Sequence, residues 1–126
     1  MNMKRIQLSL LALALACMAV AQAPQAIKYQ SVVRDNAGVE LTNQNVGFRI
    51  SVLQGSSSGP VVYAETHTIS TNAFGLANFN IGTGNVLSGD FNTIDWGADT
   101  YFFKVDLDAT GGTNYQFIGT SQALSV

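Results

Sequence analysis

Apolar and polar side chains alternate along most of the chain beyond its N-terminal stretch. From Val46 to Leu53, the residues Val46, Phe48, Ile50 and Val52 fall on one side, and Gly47, Arg49 and Ser51 on the other. Tyr101, Phe103, Val105 and Leu107 alternate with Phe102, Lys104 and Asp106, and Ile27, Tyr29 and Val33 with Lys28, Gln30 and Arg34. Successive side chains of an extended chain point to opposite faces, so a two-residue period predicts strands with one face on a core and one in water. Weaker strands are expected at Val61 to Ile69, Gly75 to Ile81 and Phe117 to Val126, and no helical period follows the N-terminal stretch. The pattern places Phe48 and Phe103 in the core. It leaves Arg49 and Lys104 on the wet face, where truncation should cost well under about 1 kcal/mol.

Turn-forming residues separate these strands at short intervals: Asp35-Asn36-Ala37-Gly38, Gln54 to Pro60, Asn72-Ala73-Phe74-Gly75 and Ala109 to Thr113. Short strands at such spacing predict an all-β fold, a six- to seven-stranded antiparallel β-sandwich of immunoglobulin-like or prealbumin-like type. The longest stretch without a period, Gly82 to Asp99, reads as a loop. Phe91, Ile94 and Trp96 within it favour folding back to plug one end of the sandwich.

The N-terminus belongs to a different class of segment. Lys4 and Arg5 precede an apolar run from Ile6 to Met18 that ends at Ala19-Val20-Ala21. That order of basic, apolar and small residues predicts a cleaved signal peptide over residues 1–21, and the run is too short for a membrane-spanning helix. Residues 22–126 are then one β-sandwich domain, secreted or held at the cell surface. Cys17, the one cysteine, offers a rival as a lipoprotein acylation site, but Ala14 stands where such sites usually carry Leu. A processed chain would hold no cysteine, so its core alone must stabilise it.

Charge excludes some partners. Without Lys4 and Arg5, four basic residues remain against eight acidic ones, a net charge of −4 spread along the chain. Nothing in this distribution would neutralise phosphates, so nucleic acid is not an expected partner.

Candidate chemistry is sparse. Glu65 and the one histidine, His67, lie two apart and share a strand face, but no nucleophile motif or further metal ligand accompanies them. The plain reading is a polar cross-strand pair, Glu65 with His67 or with Arg49. Asp106, Asp108 and Thr110 in Asp106-Leu107-Asp108-Ala109-Thr110-Gly111 have the look of a calcium loop. Phe117 stands where an EF-hand places its bidentate Glu, however, and a hairpin turned by Gly111-Gly112 is the plainer account of the run. Trp96, Phe91 and Phe102 could form an aromatic platform for a glycan or peptide. Phe102, pointing away from the Tyr101 face, suggests contact with another domain or chain. No catalytic residue and no cofactor site are expected.

Tyr29-Gln30-Ser31-Val32-Val33-Arg34-Asp35, Arg49 to Gly55, Tyr63 to Thr68, Thr71 to Leu76, Gly89 to Trp96, Asp108 to Tyr115 and Gly119 to Val126 together resemble a family of β-sandwich modules. These modules lie near the N-termini of large secreted or cell-surface proteins of Bacteroidetes-type bacteria. Its members continue into stalk-like, collagen-like or tail-fibre-like segments. The resemblance implies a non-catalytic structural or adhesion module whose partners are other segments of an exported protein, with extracellular glycan or protein as alternatives. It implies no catalytic residue. In the family the closing Ser-Val is followed by Pro-Tyr-Ala and more chain, whereas this sequence stops at Val126. The resemblance therefore implies either the N-terminal part of a larger protein, cut short here, or a chain that lacks the family's sorting and binding segments.

Overall fold

A computed structural model describes residues 26–123. The expected signal peptide, Cys17 and the last three residues lie outside the described residues. Seven strands and one 3-10 turn make up the described part: β1 (Ile27–Val32), β2 (Asn45–Gln54), β3 (Val61–Ser70), β4 (Leu76–Ile81), β5 (Asn85–Ser88), the turn Phe91–Thr93, β6 (Tyr101–Asp108) and β7 (Gln116–Ala123). They form two antiparallel sheets, β1-β4 and β5-β3-β2-β6-β7, in a sandwich-like all-β architecture.

The alternation read in the sequence becomes the core. Val46, Phe48, Ile50 and Val52 are each 0% exposed at the centre of the larger sheet, and each contributes about 1.5–3 kcal/mol of burial. Their registry partners Tyr63, His67, Phe103 and Val105 face the same way and are buried too. From the smaller sheet, Tyr29 and Phe79 close over Phe48, with ring centroids at 5.9 and 5.1 Å.

The segment expected as a loop over 82–99 is only partly one. Residues Asn85–Ser88 form edge strand β5 beside β3. Four exposed residues without an inward apolar position carry no period, so backbone pairing rather than burial makes this strand. The remainder does close one end of the core. Phe91 is buried against Tyr63 at 5.3 Å, and Trp96 packs against Phe91, Tyr101 and Phe103 at 5.5, 5.2 and 5.9 Å.

The opposite face of the larger sheet is less wet than alternation predicts. The β6–β7 turn folds over it: a Cβ added at Gly47 would lie 2.6 Å from the Gly112 carbonyl oxygen. The Arg49 guanidinium sits 5.0 Å from the Tyr115 ring centroid.

Candidate functional site

Among the described residues Glu65 is the most highly coordinated buried carboxylate. It stands on β3 opposite Ile50, with Tyr63 and His67 two residues away on either side, so all three point into the core. Its carboxylate accepts from four groups. Tyr63 Oη donates to Oε1 at 2.7 Å, the Gly82 amide to Oε1 at 2.6 Å, the Gly84 amide to Oε2 at 3.2 Å, and His67 Nε2 pairs with Oε2. His67 in turn stacks on Phe79 at 4.2 Å.

Of the two expected pairings, Glu65 with His67 forms, within one strand rather than across two, and the pair is buried. Glu65, Tyr63 and His67 are 0%, 1% and 9% exposed, and Arg49 lies on the other face of the sheet. Burial alone would raise the Glu65 pKa. Hydrogen bonds from His67, Tyr63 and Gly82, with the charge of His67, outweigh burial and hold it below the ordinary glutamate value. The Tyr63 hydroxyl is pushed up, first by burial and then by its bond to the carboxylate.

This carboxylate grips the corner where the chain leaves the smaller sheet at β4 and enters the larger at β5. Gly82 turns there with φ of +105°, in the region that favours glycine. A Cβ at Gly84 would lie 2.5 Å from the Thr66 carbonyl oxygen, 2.6 Å from His67 Nε2 and 2.7 Å from Glu65 Oε2. Only glycine lets the corner reach the carboxylate. The geometry is that of a clamp on the backbone. The spacing of Glu65 and His67 was visible in the sequence, but their donors on the β4–β5 corner had no signal there beyond two glycines.

Of the residues singled out for calcium, Asp106 and Asp108 share one face of β6, Thr110 follows in the turn, and all three are otherwise engaged. Arg49 Nε donates to Asp106 Oδ2 at 3.1 Å, and Asp106 is 1% exposed. Asp108 organises the hairpin: Oδ1 accepts from the Thr110 amide at 2.9 Å and the Thr110 hydroxyl at 2.6 Å, and Oδ2 from the Asn114 amide at 2.9 Å. These bonds, led by the Thr110 hydroxyl, lower its pKa. Gly111 supplies the positive φ of that turn, at +82°. No cluster of three or more metal-ligating side chains occurs among the described residues.

The aromatic candidates separate. Phe91 and Trp96 pack at the end of the core, Phe91 buried and Trp96 half-buried. Phe102 lies on the other face, opposite Leu53 and Gln122, and is half-buried. The three do not form one platform. A groove of about 270 Å³ opens elsewhere, between Tyr29 and Ser31 of β1 and Val105, Ile118, Gly119 and Ser121 below them. Among the described residues no helix is long and apolar enough to cross a membrane.

Comparison with known proteins adds one finding. A family model, Domain of unknown function (DUF8740), matches residues 28–120, from the second residue of β1 to the middle of β7. No curated protein matches the chain, and no solved structure matches it.

Proposed function

Since the chain belongs to that family, a domain of unknown function, its role must be argued from its own residues, and we propose that it is an exported, non-catalytic structural or adhesion module. One observation carries this reading. The groups best suited to chemistry or recognition already hold the two sheets and their connections together. Glu65 and His67 clamp a corner, Trp96 and Phe91 close an end of the core, and Asp106 and Asp108 secure Arg49 and a hairpin. A rigid scaffold needs these contacts, whereas a catalyst needs such groups free to meet a substrate.

The N-terminal pattern supplies the location in this reading. Lys4 and Arg5, the apolar run and Ala19-Val20-Ala21 direct export and processing, leaving residues 22–126 as one domain outside the cytoplasm. We assign the two-sheet architecture to the immunoglobulin-like or prealbumin-like sandwiches, and the module to the N-terminal part of a larger secreted or surface protein of Bacteroidetes-type bacteria. Its partners are then the segments that follow it.

Expression in a bacterial host with a C-terminal tag tests this. The expected product starts at Gln22 by mass spectrometry, lies outside the cytoplasm, and carries a fused reporter to the same place. Full-length product retained in the cytosol would refute export. Turnover of ester or peptide substrates abolished by His67→Ala, in protein shown to be folded, would refute the non-catalytic role.

A further inference from the structure

The two sheets are unequal, two strands against five. Tyr29 of β1 meets Phe48 of β2 at 5.9 Å, and β4 lies on the β3 side. The larger sheet therefore extends through β6 and β7 beyond the outer edge of β1. Among the described residues no strand pairs with that edge, and β7 is largely exposed. The groove of about 270 Å³ lies between the two.

Gly119 marks what is missing. It stands opposite Val105, a core residue, so its position points inward. A Cβ built there would meet nothing within 4 Å. The next inward position is Ser121, opposite Phe103. Among the described residues the inward position at Gly119 has no layer to pack against. The edge of β1 supplies the other half of a binding surface. Val33 donates its N–H to the Gly75 carbonyl and accepts from the Leu41 amide, both at 2.8 Å, on the side of β4. Backbone groups alternate along a strand, so the N–H and C=O groups of Lys28, Gln30 and Val32 are turned to the free edge.

Geometry selects the occupant. A second copy paired antiparallel through its own β1 edge would bring its β6 and β7 against those of the first, because both sheets overhang on the same side. A single extended segment meets no such obstacle. It needs one strand spacing, about 4.8 Å, and its backbone pairs with β1 while alternate side chains descend over Gly119 and Ser121. Among the described residues no charged side chain lines the groove, so those descending are uncharged. We propose that this groove accepts one extended polypeptide segment, apolar at alternate positions, as a third strand beside β1.

This deepens the scaffold reading by giving the module a means of joining other segments, but it rests on the fold alone. Amide exchange by NMR on isotope-labelled protein tests it, using a synthetic peptide of about ten residues that alternates valine and threonine. A control peptide carries proline in place of each threonine. In the free protein the amides of Lys28, Gln30 and Val32 exchange fast. The valine-threonine peptide slows them and shifts the Gly119 and Ser121 signals, and the proline peptide does neither. Gln30→Pro removes an outward donor while sparing the bonds to β4, and Gly119→Phe fills open space. Each weakens binding about tenfold or more. Several outcomes overturn the proposal: protection of those amides without peptide, no binding at millimolar peptide, binding mapped to the β5 edge or the outer edge of β7, or equal affinity in both variants. Export and processing are read separately in the same variants, so failure here is distinct from failure of the scaffold reading.

Discussion

Replacing Glu65 with Gln exchanges one heavy atom of the side chain and should remove a large share of the stability. Gln offers one acceptor oxygen where Glu offers two. If that oxygen keeps Tyr63 Oη and the Gly82 amide, the new amide nitrogen faces the Gly84 amide and His67 Nε2. The Gly84 N–H, part-buried, then loses its acceptor, a penalty of about 1–3 kcal/mol. His67 loses its carboxylate acceptor as well, and the two losses together bring the total to about 3–5 kcal/mol. A domain of this size holds about 5–15 kcal/mol in all. Urea titration followed by the fluorescence of Trp96, the one tryptophan, reads the change as a midpoint lowered by about 2–4 M at an ordinary slope.

The wild type supplies a second arm. The Glu65 pKa is lowered on folding, so its contribution is fully present above the unfolded value near pH 4.5 and is lost as pH falls through the lower folded value. The variant lacks that component. Glu40 and Asp108, whose values are also lowered, contribute to both proteins, and the difference between the two pH profiles isolates Glu65. A cost below about 1 kcal/mol, or parallel profiles between about pH 5 and pH 3, would refute the clamp.

Phe48→Ala should cost about 3–5 kcal/mol by denaturant titration, since the ring is wholly buried and packs on Tyr29 and Phe79. Arg49→Ala should cost about 2–4 kcal/mol in the same assay, because it strands the buried carboxylate of Asp106. In Arg49→Ala/Asp106→Leu much of that loss should return, and purely additive costs would refute the coupling. Gly47→Ala should lower the melting temperature and broaden signals from residues 109–115, because its Cβ meets the Gly112 carbonyl oxygen. Millimolar calcium should leave the melting temperature unchanged, with Asp106 and Asp108 already bonded; a rise of several degrees would reinstate the calcium loop.

The Arg49 prediction reverses the expectation drawn from alternation, and the reason shows how far a two-residue period reaches. The period separates two faces of a strand correctly: Phe48 and Arg49 do lie on opposite sides of β2. It does not say that the second face is bare. The β6–β7 turn covers that face, and only chain reversal after Asp108 brings Tyr115 to Arg49. The Glu65 clamp was hidden for a similar reason. Even spacing shows that Glu65 and His67 share a face, but not that the β4–β5 corner will bring amide donors to it.

By itself the sequence determined the strands β1, β2 and β6 and their inward residues, because water drives each alternate apolar side chain to one side wherever the strand lies. It also determined the turns at Asp35, Asn72 and Gly111, whose backbone conformations depend on neighbouring residues. Tertiary structure alone decided the pairing order, the unequal sheets, edge strand β5 and the donors gathered around Glu65. Each of these depends on backbone hydrogen bonds or burial between segments far apart in the chain, and a local pattern of side chains carries no record of which distant strand will lie beside it.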